Sequence, residues 1–407
     1  MSVLLNPALS SRSQSPRKYF LGSLFALGIL LLHGPIRAAD NATITVTTAT
    51  SADTAITPSP MPLLSRNKPA FSSSGPGTIY SGPAVANDNN YQSLWFSDPL
   101  PAWIAYDLSS VPIGQRQQVL VAWYAGRALG YINPSPGEFL SLPIDYTIET
   151  NAATGGTTSA PAAGWQTVVT VTGNNRGSRQ HLINLADGNW IRLRATASSN
   201  PAGIGIDLDV HAAPAGASDC WLFMGDSITG FAAYLFSDLP GRVNALASGR
   251  WPVVVPAGIG GSNVWSANDV IDDSLALYPG RFVTLNYGTN GGSAGFSDAM
   301  EILIQKVFAA GKIPVIPHMP WSNIPDQLAK APLINAQIDA LYLKYPTILR
   351  GPDLYAAFLN RLDWIPSGDV HPSDSGNQEL RRQWALAMTA SSIIAPNSAI
   401  ITITVSN

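Results

Sequence analysis

The sequence predicts two domains of different class: an all-β sandwich over residues 63–213, then an α/β three-layer domain with a five-stranded parallel sheet over residues 218–395. Three observations predict this. Short alternating apolar runs, punctuated by Gly, Pro, Asn and Ser, fill the first half. From about residue 218, apolar runs alternate with helical patterns instead, as βαβ units require. Between the two textures, Ala212-Ala-Pro-Ala-Gly-Ala217 reads as a linker. The 407 residues suffice for a sizeable core in each domain.

The N-terminus reads as an export signal over residues 1–39. Arg12, Arg17 and Lys18 precede an apolar run from Tyr19 to Leu32, and small residues follow at Ala38-Ala39. A secreted or periplasmic chain is expected. The run is short for a membrane span, so none is expected in the mature chain; an uncleaved anchor is the alternative. Arg17-Lys18-Tyr-Phe-Leu21 only partly matches a twin-arginine signal, because the second arginine is missing. Residues 40–62 hold a strand-like stretch, Asn41–Thr48, and a Ser/Thr/Pro-rich linker. The tail, residues 396–407, alternates over Ala399–Val405 like another strand and is expected to pair with the segment near residue 44.

Composition excludes some functions. Charged residues are 12% of the chain, about half the usual ~25%. Net charge is −3, and no basic cluster follows the first twenty residues. Nucleic-acid binding through a phosphate-neutralising patch is therefore not expected. With 35 Gly, 32 Pro and frequent aromatics, the chain should be rich in turns rather than disordered. Cys220 is the one cysteine, so no internal disulfide forms; it reads as a small buried hydrophobe. No His/Cys/Asp cluster has metal-ligand spacing and no phosphate or dinucleotide loop occurs, so neither metal nor organic cofactor is expected.

In the first domain, strands are expected at Ala102–Asp107, Gln118–Tyr124, Ile144–Glu149, Gln166–Val171 and Trp190–Arg194. In the second they are expected at Trp221–Met224, Val253–Pro256, Phe282–Asn286, Ile313–Ile316 and Thr347–Leu349. Helices are expected at Asn268–Leu277, Ser297–Ala310, Pro325–Tyr345 and Ser373–Ile394. In a doubly wound sheet, ligands bind beyond the carboxyl ends of the strands.

Four local signals fall in order near those ends: Gly225-Asp226-Ser227, Gly258-Ile-Gly-Gly261, Gly288-Thr-Asn290 and Asp369-Val-His371-Pro372. Ester cleavage needs a nucleophile and a base to take its proton. Ser227 supplies the hydroxyl and His371, from a late loop, the base. Asp226 reads as bracing the turn. Each block alone is often only a turn, but four in this order resemble the SGNH, or GDSL-type, hydrolase superfamily over about residues 218–395. The resemblance implies a flavodoxin-like fold and three oxyanion donors: the backbone N–H of Ser227, the backbone N–H of Gly261 and the side-chain amide of Asn290.

One departure concerns the acid. The family's last block places Asp three residues before His; here that position is Gly368, and Asp369 lies two before His371. Asp369 with an adjusted loop is the favoured third triad member. A backbone carbonyl or Asp363 is the alternative. His318 is a second candidate base. Trp265, His318, Met319, Trp321 and Trp364 either line a pocket or pack in the core.

Residues from about 65 to 200 resemble the discoidin, or coagulation-factor type C, family. The match rests on Lys68-Pro69-Ala70, Ser72-Ser73-Ser74, Asn87-Asp88 with Tyr91, Trp95, Pro101-Ala-Trp103-Ile-Ala-Tyr-Asp107-Leu108, Trp123-Tyr124, Tyr146-Thr-Ile-Glu149, Trp165 and Trp190-Ile-Arg192-Leu-Arg194. The resemblance implies a galactose-binding-like jelly roll that binds carbohydrate or lipid head groups, or serves as a spacer. Together the two resemblances imply a serine esterase that deacetylates a polysaccharide or oligosaccharide. The alternatives are a polysaccharide O-acetyltransferase, a non-catalytic polysaccharide-binding envelope protein, and a lipase or thioesterase.

Overall fold

The computed structural model describes residues 43–50, 55–56, 58–73, 82–91, 93–97, 100–125, 141–230, 235–390, 393–394 and 399–406. The expected signal peptide lies outside them. Strands β1 (Thr43–Thr50) and β2 (Ala55–Ile56) come first. The sandwich then contains β3 (Ala70–Ser72), β4 (Trp95–Phe96), β5 (Ala102–Asp107), the helical turn α1 (Ile113–Arg116), β6 (Gln118–Tyr124), β7 (Pro143–Asn151), β8 (Gln166–Val171), β9 (Ser178–Asn184), β10 (Trp190–Ser198) and β11 (Gly205–Ala212). One sheet runs β3-β5-β10-β7-β8 and the other β4-β11-β6-β9. Neighbouring strands are antiparallel. Alternate residues of both sheets, among them Ile104, Trp123, Ile148 and Leu193, fill the space between them.

The second sheet is covered on both faces. In β11, Ile206, Leu208 and Val210 enter the sandwich core. The intervening Asp207, Asp209 and His211 are also buried, at 1% exposure each. Their face meets the α/β domain: Leu120 and Ala122 of β6 share a cluster with Leu222 and Val255. Ser178 Oγ–H donates to Pro256 O at 3.0 Å, and Arg176 pairs with Asp273 at 3.2 Å. Tyr91 O–H donates to Asp209 Oδ2 at 2.8 Å. Burial pushes the carboxyls of Asp207 and Asp209 above their ordinary range. Both domains lie in one compact unit, residues 49–400.

The α/β domain contains β12 (Cys220–Gly225), α2 (Ser227–Gly230), α3 (Leu239–Leu246), β13 (Val253–Gly258), α4 (Val264–Ala267), α5 (Ile271–Leu277), β14 (Phe282–Asn286), α6 (Phe296–Ala309), β15 (Ile313–His318), α7 (Pro325–Lys344), β16 (Leu349–Asp353), α8 (Leu354–Phe358) and α9 (Asp374–Thr389). The sheet is parallel, in the order β13-β12-β14-β15-β16. Its direction of winding reverses beside β12, so a crevice opens at the carboxyl end of that strand.

Several elements differ from the sequence reading. The structure adds β3, β4, β9, β11, α3 and α8. The last sheet strand is Leu349–Asp353, later than expected, because the chain is still turning at Ile348, whose N–H reaches Tyr345 O at 3.0 Å. Helix α9 ends at Thr389, and Ile393–Ile394 instead form β17, antiparallel to β2. The stretch around Ser59, expected as linker, is docked: Ser59 O accepts the N–H groups of Ser218 and Asp219, both at 3.1 Å. The terminal strand β18 (Ala399–Ser406) pairs with β1 in a two-stranded sheet of their own. Among the described residues, no helix is long and apolar enough to cross a membrane.

Candidate active site

β12 is buried throughout and delivers Gly225-Asp226-Ser227 to the crevice. Close packing explains its glycine. A Cβ at Gly225 would lie 2.7 Å from Asn286 O and 2.4 Å from Thr229 Oγ1. Ser227 opens α2, so its N–H has no helical acceptor. Asp226 is 2% exposed, and its Oδ1 accepts Ile228 N–H at 3.0 Å. Burial pushes the Asp226 carboxyl up to about 6, opposed by that backbone bond and by a bond to the Thr289 side chain.

Ser227 Oγ and His371 Nε2 are 2.8 Å apart, and His371 Nδ1 lies 3.0 Å from Asp369 Oδ1. With the imidazole proton assigned to Nδ1, the serine hydroxyl donates to Nε2 and the ring donates to the carboxylate. Asp369 Oδ1 also accepts Val370 N–H at 2.7 Å and His371 N–H at 2.9 Å. The His371 backbone bond is the main cause holding the Asp369 carboxyl below its ordinary value. Gly368 makes the shortened spacing feasible. Its φ of +80° is left-handed, a conformation natural to glycine, and it immediately precedes Asp369, whose Oδ1 reaches the His371 ring. Asp363 is engaged elsewhere, in a two-point pair with Arg361 at 2.9 and 2.6 Å.

The loop after β15 holds this segment. Ser322 Oγ–H donates to Asp369 O at 2.6 Å, Asn323 Oδ1 accepts Gly368 N–H at 3.0 Å, and Asn323 Nδ2 donates to Ser367 Oγ at 2.8 Å. Sequence reasoning missed both residues; two short polar side chains in a loop carry no periodic signal.

The second and third blocks border the serine. Ile259 N–H donates to Gly225 O at 2.9 Å, which anchors the loop leading to Gly261. Gly261 is exposed, with φ +74° and open space where a Cβ would stand. Among the described residues, no acceptor meets the N–H of Ser227 or Gly261. Asn290 Nδ2 donates to Ser262 O at 2.9 Å, which ties its amide to the second block.

The remaining candidates separate. Trp265 is 39% exposed and stands against Gly291, where a Cβ would lie 2.7 Å from its ring. Met319 and Trp321 are buried. The Arg361 guanidinium lies 3.3 Å from the Trp364 ring centroid. His318 sits between Asp339 and Asp353, at 3.2 Å from each. Cys220 is buried, which pushes its thiol up to about 12. A cavity of about 480 Å³ lies at the opposite ends of the strands, lined in part by Leu120, Cys220, Arg281 and Lys312. No group of three or more His, Cys, Asp or Glu residues suited to a metal occurs among the described residues.

Residues 223–379 match the family model described as GDSL-like Lipase/Acylhydrolase. No curated protein matches the chain significantly. Two solved structures illustrate its similarities. Chitosan-binding module 1 of a chitosanase/glucanase from Paenibacillus sp. IK-5 is 23% identical, spans 36% of this chain and 97% of its own, and has a TM-score of 0.28. An acetylxylan esterase from Geobacillus stearothermophilus is 15% identical, spans 44% of this chain and 96% of its own, and has a TM-score of 0.35. The α/β part of this chain is a GDSL-like lipase/acylhydrolase domain.

Proposed function

We propose that the protein is an exported serine esterase that removes O-acetyl groups from a polysaccharide or oligosaccharide. The observation that carries the reading is the unbroken relay from Ser227 Oγ to His371 Nε2 at 2.8 Å and from His371 Nδ1 to Asp369 at 3.0 Å. His371 takes the serine proton as Oγ attacks the acyl carbon, and the imidazolium then protonates the departing sugar oxygen. Asp369 stabilises the imidazolium. The N–H groups of Ser227 and Gly261 and the amide of Asn290 receive the oxyanion. Water, activated by the same histidine, releases acetate from the acyl-enzyme.

The exposure of the site supports a polymeric substrate. The side chains of His371 and Asp369 are 37% and 50% exposed, so a bulky alcohol can approach the relay. Trp265, beside the Asn290 loop, offers an aromatic face to a sugar ring.

Release of acetate from aryl acetates and acetylated glycans tests the reading. Ser227→Ala and His371→Ala should each lose at least about 10³-fold in kcat/KM. Parent-level activity in Ser227→Ala sinks the mechanism. Asp369→Asn should lose at least about tenfold; a smaller loss assigns the orienting role to another group. Acetyl transfer to added polysaccharide in excess of free acetate would make the enzyme a transferase.

A further inference from the structure

We infer that Lys330, on α7, is a positioning residue for the oxyanion site; this rests on the esterase reading above. The Asn290 loop is glycine-rich, Gly288-Thr-Asn-Gly291-Gly292, with φ of +136° at Gly288 and +81° at Gly291. Such a segment has little backbone preference of its own, yet an oxyanion donor must be held in place before the charge develops. Lys330 supplies the restraint. Its ammonium donates to Thr289 O at 2.8 Å and to Gly291 O at 2.9 Å, the two carbonyls that flank Asn290. Its remaining proton faces Asp326 Oδ2 at 3.1 Å.

All three donors are therefore used, as a buried ammonium requires; the side chain is only 9% exposed. Gln327, one helical turn earlier on the same face, adds a second bond to Thr289 O at 3.0 Å. One nitrogen bonded to the carbonyls on both sides of Asn290 fixes the backbone from which its amide projects toward Ser262 O. Lys330 touches no reacting atom. It acts through Asn290.

A double-mutant cycle tests this, with an aryl acetate as substrate and thermal melting to check folding. Lys330→Met should lower kcat by about 10- to 100-fold with KM changed less than about threefold. The pH profile should keep its shape, since His371 and Asp369 are untouched. In an Asn290→Ala background, Lys330→Met should cost less than about threefold more, because the group it positions is gone. Gln327→Leu should show the same pattern at about 2- to 10-fold and serves if Lys330→Met fails to fold. Additive losses in the cycle, or an unchanged kcat in folded Lys330→Met, overturn the role. Ser227→Ala is measured in parallel. If parent activity does not depend on Ser227, the esterase reading fails and this role with it; if it does, additive losses sink the Lys330 role alone.

Discussion

At the residue scale, the site combines a conventional relay with an unconventional spacing. Asp369 reaches His371 from two positions away because Gly368 takes φ +80° and Ser322 and Asn323 hold the turn. Asp226 carries a pH signature of its own. Burial raises its carboxyl from the ordinary 3.8 to about 6, so ionisation is harder in the fold than in the unfolded chain. Its contribution to stability is complete below the unfolded value and is lost as pH rises through about 6. The Asp226→Asn variant escapes this loss while keeping an acceptor for Ile228 N–H. Between about pH 4 and pH 7.5 it should gain on the parent by about 2 kcal/mol, read from denaturant midpoints at the two pH values. A pH-independent gap between the two proteins rejects the buried, titrating carboxyl. The candidates Ser227, His371 and Asn290 stand out in the sequence because each belongs to a short block of unusual composition. Lys330 does not, because a lysine in a helical pattern looks the same whether it faces solvent or a backbone loop.

At the scale of elements, β13 and α2 approach so closely that side chains are excluded between them. A Cβ on Gly258 would lie 2.5 Å from Gly230 N and 2.7 Å from Thr229 C, both rigid backbone. Gly258→Ala should therefore cost about 1–3 kcal/mol. It should also depress kcat, because pushing β13 away strains the Ile259-to-Gly225 bond that anchors the Gly261 loop. Denaturation and acetate release measured together check this; a variant with parent stability refutes the close packing. The long apolar strands of the parallel sheet were readable as runs. β11 was not assigned, although Gly-Ile-Asp-Leu-Asp-Val-His alternates as a strand with one wet face would. Its charged face is in fact buried against a second domain, which no local pattern reports.

At the scale of the whole molecule, residues 49–400 form one compact unit. Tyr91 and Tyr124 of the sandwich share an apolar cluster with Trp221 and Phe223 of β12, the strand that carries Ser227. Calorimetry should accordingly record one cooperative transition for sandwich and α/β domain. Two well-separated transitions would show that the interface contributes little. Substitution of Leu120 by Asp, which places a charge in the shared core, should lower that single midpoint rather than split off the sandwich alone.

Local pattern was enough for the two domain classes and for singling out Ser227 and His371 as candidate nucleophile and base, because strand periodicity and turn chemistry are short-range. Tertiary structure supplied what holds Asp369 against His371, which cation holds the Asn290 loop and what covers the second face of the sandwich. Those depend on groups tens of residues apart, such as Ser322 with Asp369, Lys330 with Thr289 and Ser178 with Pro256, and their pairing exists only once the chain has packed.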